Sequence, residues 1–410
     1  MESFDVAIVG GGMVGASLAV ALEGLRLRIA LIEAVPHDAA AQPSFDERTT
    51  ALSNGSRRIL ETLGVWGLVG AAATPIARIH VSDQGRFGFA RIDAAEQGLK
   101  ALGHVVPNRA LGAALWARLA GRCDVRVFCP AVLSSIVPGE QRIEIKTADG
   151  MPATLRASLV VAADGIESRV RTAFGVAAEV RDYAQTAIIT TVLPRKFHEH
   201  VAYERFTATG PLALLPLADG RCTLVLTLEP ALAQRAMTWS DEQFLAQLQA
   251  RFGFRLGRFL KVGRRSAYPL SLSRAERVSA GRCIIVGNAA QGLHPVAGMG
   301  FNLGLRDVAS LAELLSEPHG GLDTLAARYD AWRAADRRAL IAFTDGLVRL
   351  FATPWGPLKQ LRDLGLLAFD LLPPAKAALS ALSTGAAGRV PKLARGVPLA
   401  PPAPLAPMSR

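Results

Sequence analysis

Apolar and polar positions along the chain follow two periods, and the places where one gives way to the other divide it. Residues Val6 to Val9 form an unbroken apolar run that stops at Gly10, Gly11 and Gly12, after which a helical pattern opens at Met13. A second apolar run, Ile29 to Ile32, ends at Glu33. Continuous apolar runs of this length are the mark of parallel strands buried on both faces, so the opening stretch predicts strand, glycine turn, helix and strand. Helical spacing returns over Ser56 to Leu63 and in a helix after Asn108 that carries Leu111, Leu115 and Leu119. Strand-like segments lie between them at Arg78 to Val81 and Gly88 to Ile92. Alternation over Arg142 to Lys146 and an apolar run from Ser158 to Ala163 add two strands, the second ending at Asp164 and Gly165.

The pattern changes at Ala187. Four short strands follow in succession, AIITTVL, VAYERF, PLALLPL and CTLVLTL, with Asp219 and Gly220 forming a hairpin signal between the last two. They predict a separate antiparallel sheet. Ser240 and Gln243 make a capping box for a helix reaching about Phe252, and another strand covers Arg264 to Leu270. The strand Cys283 to Val286 then runs into Gly287 and Asn288, a Pro- and Gly-rich segment, and a long helix from about Phe301. Near the end, Trp355 to Leu382 is loosely amphipathic, which suits either a helix packed on the first domain or one that docks on a membrane.

Composition narrows the choices. A chain of 410 residues that is 50% hydrophobic and 20% charged is an ordered globular protein of two or three domains, or one with a large insertion. Its four cysteines, Cys123, Cys129, Cys222 and Cys283, form no CxxC pair and read as buried thiols in a reducing compartment. No metal site is expected, and His198 and His200 read as part of a solvated surface loop. The net charge of +11 comes without a recognition-helix motif or basic residues interleaved with aromatics, which argues against nucleic acid and for a basic face toward anionic lipid. The apolar start has no basic leader segment, so the expected place is cytoplasmic, extending to the inner face of the membrane.

The chemistry begins at the glycine turn. Gly10 allows the tight turn, Gly12 lets backbone approach a pyrophosphate, Gly15 lets the helix lie close on the strand, and the helix N-terminus supplies free N–H groups. Glu33 falls about 20 residues on, where a carboxylate accepts from ribose hydroxyls and repels a 2′-phosphate, so the site suits FAD or NAD. Arg48 is either a solvated loop charge or a contact to an anionic ligand. Asp164 and Gly165 are either a turn or part of the rim where parallel sheets hold ligands. Gly298 and Gly300 free a backbone to press on a flat ligand, and His294 is either a loop histidine or a proton-transferring group facing substrate.

The three stretches, with the wording HPVAGMGFNLGLRDV, together resemble the group A flavoprotein aromatic hydroxylases and, within them, the ubiquinone-biosynthesis hydroxylases. GNAAQ, with Asn288 and Gln291, ERFTATGPLALLPLADGRC from Glu204, and TDGLVRLF from Thr344 are similar to the polyprenyl-methoxyphenol hydroxylase branch. The resemblance covers the chain to about residue 380. It implies an α/β fold: a Rossmann-like FAD-binding domain (1–73, 105–180 and 276–340) interleaved with an antiparallel-sheet substrate domain (74–104 and 181–275). A C-terminal helical region at 341–385 and a disordered tail at 386–410 complete the expected organisation.

By the same resemblance, Gly10, Gly12, Gly15 and Glu33 hold the adenosine half of FAD, and Arg48 and Asn108 lie along ribityl and pyrophosphate. Asp164 and Gly165 contact both FAD and the passing nicotinamide nucleotide. Gly287 and Asn288 meet the ribityl hydroxyls, Asn288 standing where relatives carry aspartate. Pro295 to Asn302, including Gly298 and Gly300, follows the isoalloxazine edge, with His294 and Pro295 as the catalytic candidates. NAD(P)H would act as a transient reductant, oxygen would add to give a C4a-hydroperoxide, and a polyprenylated phenol would receive the oxygen atom. Other ubiquinone-biosynthesis proteins and a membrane surface are the implied partners. A halogenase is disfavoured because no two tryptophans lie two apart, as WxWxIP requires. A non-catalytic flavin-binding scaffold is the competing reading.

Overall fold

The strand at the start of the chain sits at the centre of one sheet and fixes where its neighbours go. In the computed structural model, residues 1–39, 42, 44–46, 48–86, 88–293, 299–318, 320–352 and 388–401 are described. The chain opens with β1 (Glu2–Val9), α1 (Met13–Ala21), β2 (Ile29–Ile32), β3 (Thr49–Ser53), α2 (Asn54–Thr62) and α3 (Trp66–Val69). It continues through β4 (Thr74–Ile76), β5 (Arg78–Asp83), β6 (Phe89–Asp93), β7 (Gly103–Pro107), α4 (Asn108–Leu119), β8 (Val125–Phe128), β9 (Ala131–Val137), β10 (Arg142–Thr147) and β11 (Pro152–Ala162). Then come α5 (Arg169–Ala173), β12 (Ala178–Pro194), β13 (Val201–Thr207), β14 (Gly210–Pro216), β15 (Cys222–Leu228), α6 (Pro230–Thr238), α7 (Asp241–Phe252), β16 (Phe259–Val262) and β17 (Ser266–Ala275). The last elements are β18 (Ser279–Ala280), β19 (Cys283–Ile285), β20 (Gln291–Gly292), α8 (Gly300–Ser316) and α9 (Leu322–Ala352).

Strands β19, β11, β1, β2 and β8 lie side by side in that order and all run parallel. Val6 to Val9 and Ile29 to Ile32 are buried along their full length, as the apolar runs require, and α1, α4, α8 and the sheet share one apolar core. A second sheet has the order β20-β17-β12-β15-β14-β13-β5-β6, with β16 on the edge of β12. A third, small sheet, β3-β7-β4, lies in the region between them. The fold is thus a Rossmann-like layer interleaved with a largely antiparallel sheet, as the sequence indicates.

Several details differ from the sequence reading. Strand β13 pairs parallel to β5, so the second sheet is not antiparallel throughout, because the chain arrives at β13 after a long excursion rather than through a hairpin. His198 is fully buried, not part of a solvated loop: Nε2 bonds to Leu217 O at 2.9 Å, and Nδ1 accepts from His200 N at 3.1 Å. Among the cysteines, Cys222 and Cys283 are buried, their thiols pushed up to about 12 by desolvation, whereas Cys123 is exposed and Cys129 half-buried.

Residues 388–401, expected as part of a disordered tail, pack against the first domain. Leu393 and Ala394 are buried beside α2, Thr62 Oγ1 donates to Leu393 O at 3.1 Å, and the Arg389 guanidinium lies 3.7 Å from the Trp332 ring centre. Lys392 pairs with Glu317 at 3.0 Å. A few anchors in a Pro- and Ala-rich stretch are enough to hold it, and composition averages them away. The amphipathic stretch from Trp355 lies outside the described residues.

Candidate active site

All the parallel strands end at one edge, and the glycine turn leaves β1 there. Gly10 N donates to Ile32 O at 2.8 Å, Ala163 N to Val9 O at 2.8 Å and Val286 N to Ala162 O at 3.0 Å, so the ends of β1, β2, β11 and β19 form a continuous rim. Gly10 has φ +103°, and a Cβ on it would stand 2.3 Å from Ala163 O; one on Gly15 would stand 1.8 Å from Gly10 O. Both positions therefore require glycine for turn geometry and for α1 to seat on β1. Gly12 is the N-cap of α1 and offers no side chain to the helix start, and no acidic residue occupies the first turn. The first N–H groups of α1 are open to an anion.

Glu33 ends β2 beside this turn. Its Oε2 accepts from Gly11 N at 2.5 Å and its Oε1 from Val35 N at 2.8 Å, which orients the carboxylate and leaves lone pairs for two hydroxyls. Asp164 Oδ2 accepts from Val170 N at 3.1 Å, and its Oδ1 accepts from Ser168 Oγ. This carboxylate shapes the loop containing Gly165, whose φ is +87°. Buried Arg171 ties that loop to the next, donating from Nη1 to Ile166 O at 3.0 Å and to Ala289 O at 2.8 Å.

From Cys283 in β19 through the following loop to Gly292 the chain is buried except at Asn288, which is exposed at the rim. What holds the loop lies behind it. Asp307, on α8, accepts from Gly287 N at 3.0 Å, from Gln291 Nε2 at 2.9 Å and from Arg333 Nε at 2.8 Å. Arg333 also reaches Asp336 at 2.5 Å, and Arg337 Nε donates to Gln291 Oε1 at 2.7 Å. Asp307 is 1% exposed and Arg333 0%, so this is a buried ionic lattice under the loop. Gln291, singled out in the sequence as a family variant, points into that lattice and not toward a ligand.

Helix α8 links the rim to a second group of residues. Gly304 packs against Val14 and Gly287, while Asn302, two residues earlier, accepts at Oδ1 from Ser53 N and donates from Nδ2 to Ala51 O, each at 2.8 Å. This joins the start of α8 to β3. There Asn108 N donates to Arg48 O at 2.8 Å and Asn108 Oδ1 accepts from Thr50 Oγ1 at 2.7 Å. Arg48 pairs with Asp46 at 2.6 Å, and its guanidinium lies 4.8 Å from the Tyr268 ring centre on the large sheet. Thr49 Oγ1 donates to Thr223 Oγ1 at 3.0 Å, a second tie between β3 and that sheet. Like α1, α8 starts without a side-chain cap or an acidic residue in its first turn.

The sequence-predicted residues thus fall into two clusters bridged by α8. Gly10, Gly12, Gly15, Glu33, Asp164, Gly165, Gly287 and Asn288 form the rim, and Arg48, Asn108 and Asn302 gather at β3. His294, Pro295 and Gly298 lie outside the described residues; Gly300 opens α8, and a Cβ there would meet nothing within 4 Å. Sequence reasoning missed Asp307, Arg171, Arg333 and Arg337, whose only signal was an acid and several arginines at helix positions expected to be apolar or solvated. The rim fits the two ends of FAD's adenosine diphosphate: an uncapped helix start for pyrophosphate and an oriented carboxylate for ribose.

A family model described as the FAD binding domain matches residues 3–344. Ubiquinone hydroxylase UbiL of Rhodospirillum rubrum is 38% identical over 406 residues, covering 96% of this chain and 93% of that protein. The 3-demethoxyubiquinol 3-hydroxylase of Escherichia coli is 32% identical, covering 89% of this chain and 94% of that one. Among solved structures, p-nitrophenol 4-monooxygenase PnpA of Pseudomonas putida shares the fold with a TM-score of 0.77 over 94% of this chain and 99% of that one, at 19% identity. Matched by an FAD-binding model over most of its length and by ubiquinone hydroxylases over nearly all of it, the chain belongs to the FAD-dependent monooxygenases of the ubiquinone-hydroxylase family.

Proposed function

We propose that this enzyme hydroxylates the ring of a polyprenylated phenol in ubiquinone biosynthesis, using NAD(P)H as a transient reductant and molecular oxygen. One observation carries the substrate class: the large sheet turns a half-buried row of mainly apolar side chains, Val81, Ala213, Val225 and Ile189, toward the first domain, beside the two ties from β3. Such a wall suits a hydrophobic ring and excludes water from it. In this reading residues 1–73, 105–180 and 276–340 form the cofactor domain, and 74–104 and 181–275 form the roof. The start of α1 would take the pyrophosphate, Glu33 the adenosine ribose and Asn288 the ribityl hydroxyls, with Arg48, Asn108, Asp164, Gly165, Gly287 and the 294–302 stretch along the rest. When bound, FAD supplies the redox chemistry and activates oxygen. The chain positions the ring and keeps the site dry.

Purified protein should carry non-covalent FAD and oxidise NAD(P)H faster when a short-chain prenylphenol is added, with one oxygen atom from labelled dioxygen in the product. Flavin-loaded protein that binds the phenol without oxidising NAD(P)H would instead be the scaffold.

A substrate with a polyprenyl tail is nearly insoluble, so the enzyme should meet it at a membrane surface. Among the described residues no helix is long and apolar enough to cross one. With a net charge of +11, the folded protein should bind anionic vesicles at low salt and leave them as salt rises, each basic residue near the surface contributing about 1 kcal/mol. Arg389 and Lys392 are committed to Trp332 and Glu317, so they add less. Indifference of the flavin-loaded chain to such vesicles would leave delivery by a partner protein as the account.

A further inference from the structure

The inner face of the large sheet carries one acid among its apolar positions. Register places Glu204 on β13 opposite Ala213 on β14 and beside Val81 on β5, and the same row continues through Val225 on β15 and Ile189 on β12. All five keep part of their surface. On one side the row through Asp83, Phe206, Pro211, Thr227 and Ala187 is buried throughout; on the other, toward the small sheet, Ala202 and Thr223 are buried while Ile79, Leu215 and Thr191 are half-buried. The opposite face, with Tyr203, Leu212, Leu224 and Leu226, is sealed by α6 and α7. A half-buried row in the middle of a sheet, with a fully buried row on one side and the opposite face sealed, is the wall of a cleft. Its orientation is set by Ala202, two residues before Glu204, which packs with Ile76, Val105 and Ala51 around the small sheet. Thr223 and Tyr268, on this same face, meet Thr49 and Arg48.

Within that row Glu204 is the polar side chain. Its side chain is half-buried, on the sheet face that carries this row. Desolvation alone pushes its pKa up to about 8 from an ordinary 4.5. Among the described residues, the titratable or charged groups on this face are Asp83 at the end of β5, Tyr268 on β17, and Arg48 with Asp46 from the first domain; β12, β14 and β15 present Ile, Thr, Ala, Leu and Val. None of them contributes to the shift. A desolvated acid with no hydrogen-bond or ion-pair partner among the described residues, in an apolar cleft facing the cofactor domain, is arranged for a ligand hydroxyl.

Resting on the hydroxylase reading above, we propose that Glu204 is the residue that receives the phenol hydroxyl of the substrate and acts as its base. The phenol O–H bond breaks, the proton moves to a carboxylate oxygen of Glu204, and the electron pair stays on the phenol oxygen, enriching the ring carbons ortho and para to it. When the ring C–H has become C–OH, Glu204 returns its proton to the original phenol oxygen as product leaves. A carboxylate whose proton affinity approaches that of a phenol is a stronger base than a solvated glutamate.

The sign of the pH dependence follows. Below about pH 8 the group holds its proton and cannot act as base, so product formation should rise through that pH. The test uses the flavin-loaded full chain, a short-chain prenylphenol and its O-methyl ether, read by the flavin absorbance change on binding and by hydroxylated product. Wild type should prefer the phenol to the ether by about tenfold at alkaline pH. Glu204→Gln should lose that preference and the alkaline rise, with product formation about 100-fold slower, while Glu204→Asp recovers part of the rise. If Glu204→Gln keeps both the preference and the pH limb, the assignment falls and the hydroxylase reading stands. If flavin-loaded wild type makes no product from the phenol at any pH, the hydroxylase reading fails and this assignment with it.

Discussion

Replacing Asp307 by alanine is expected to lower folding stability by about 3–5 kcal/mol, the usual cost of stranding one charge of a buried pair. Arg333, 0% exposed, would keep Asp336 at 2.5 Å but lose the carboxylate at its Nε. Gly287 N and Gln291 Nε2 would lose their acceptor at the same time, so the loop that carries Asn288 would be released from behind. Two effects should therefore appear together: a lower midpoint in urea and weaker retention of FAD on dilution. Replacing both partners with apolar residues, Asp307→Leu with Arg333→Met, should recover much of the stability, because no charge is left buried alone. An Asp307→Ala chain within about 1 kcal/mol of wild type would mean that water or a neighbouring acid replaces Asp307, and that the lattice is not what fixes the loop.

The second large effect belongs to Gly15→Ala. A single methyl group there would stand 1.8 Å from Gly10 O, and the atom it meets is backbone, which no side-chain rotation can relieve. Helix α1 would have to lift off β1, carrying with it the uncapped N–H groups that start at Met13. The expected product is protein purified without flavin and destabilised by about 1–3 kcal/mol or more. Gly67→Ala is the matching control, since a Cβ there meets nothing within 4 Å and the position has no positive φ. Stoichiometric FAD in Gly15→Ala would place the cofactor away from this turn.

The reach of the sequence can be judged from particular residues. The glycine turn, the capping box at Ser240 and Gln243, and the buried runs beside Gly10 and Glu33 were legible because each is a local rule: a period, a cap or a tight turn dictated by residues close in sequence. Asp307 and Arg333 were not legible, because an acid and a base on two helices look solvated until the helices are packed together. His198 failed for the same reason, its backbone partner at Leu217 arriving from just past the end of β14. Glu204 was visible only as the first letter of a family-like run. Its meaning depends on which face of a 9-stranded sheet it occupies, and that is settled by strands from residues 78 to 275.

The interleaving has a consequence for how the chain is made. Val6 in β1 pairs with Leu159, and Val160 in β11 pairs with Cys283, so although β2 joins β1 early, neither the central pair itself nor its β19 side can close locally. Most of the polypeptide must leave the ribosome before the rim that is to grip the flavin exists. Long-range parallel pairing is slow and leaves apolar strands uncovered while it waits. The cofactor binds the finished rim and not the waiting chain, so its supply during synthesis should set how much polypeptide reaches the native state and how much is lost to aggregation.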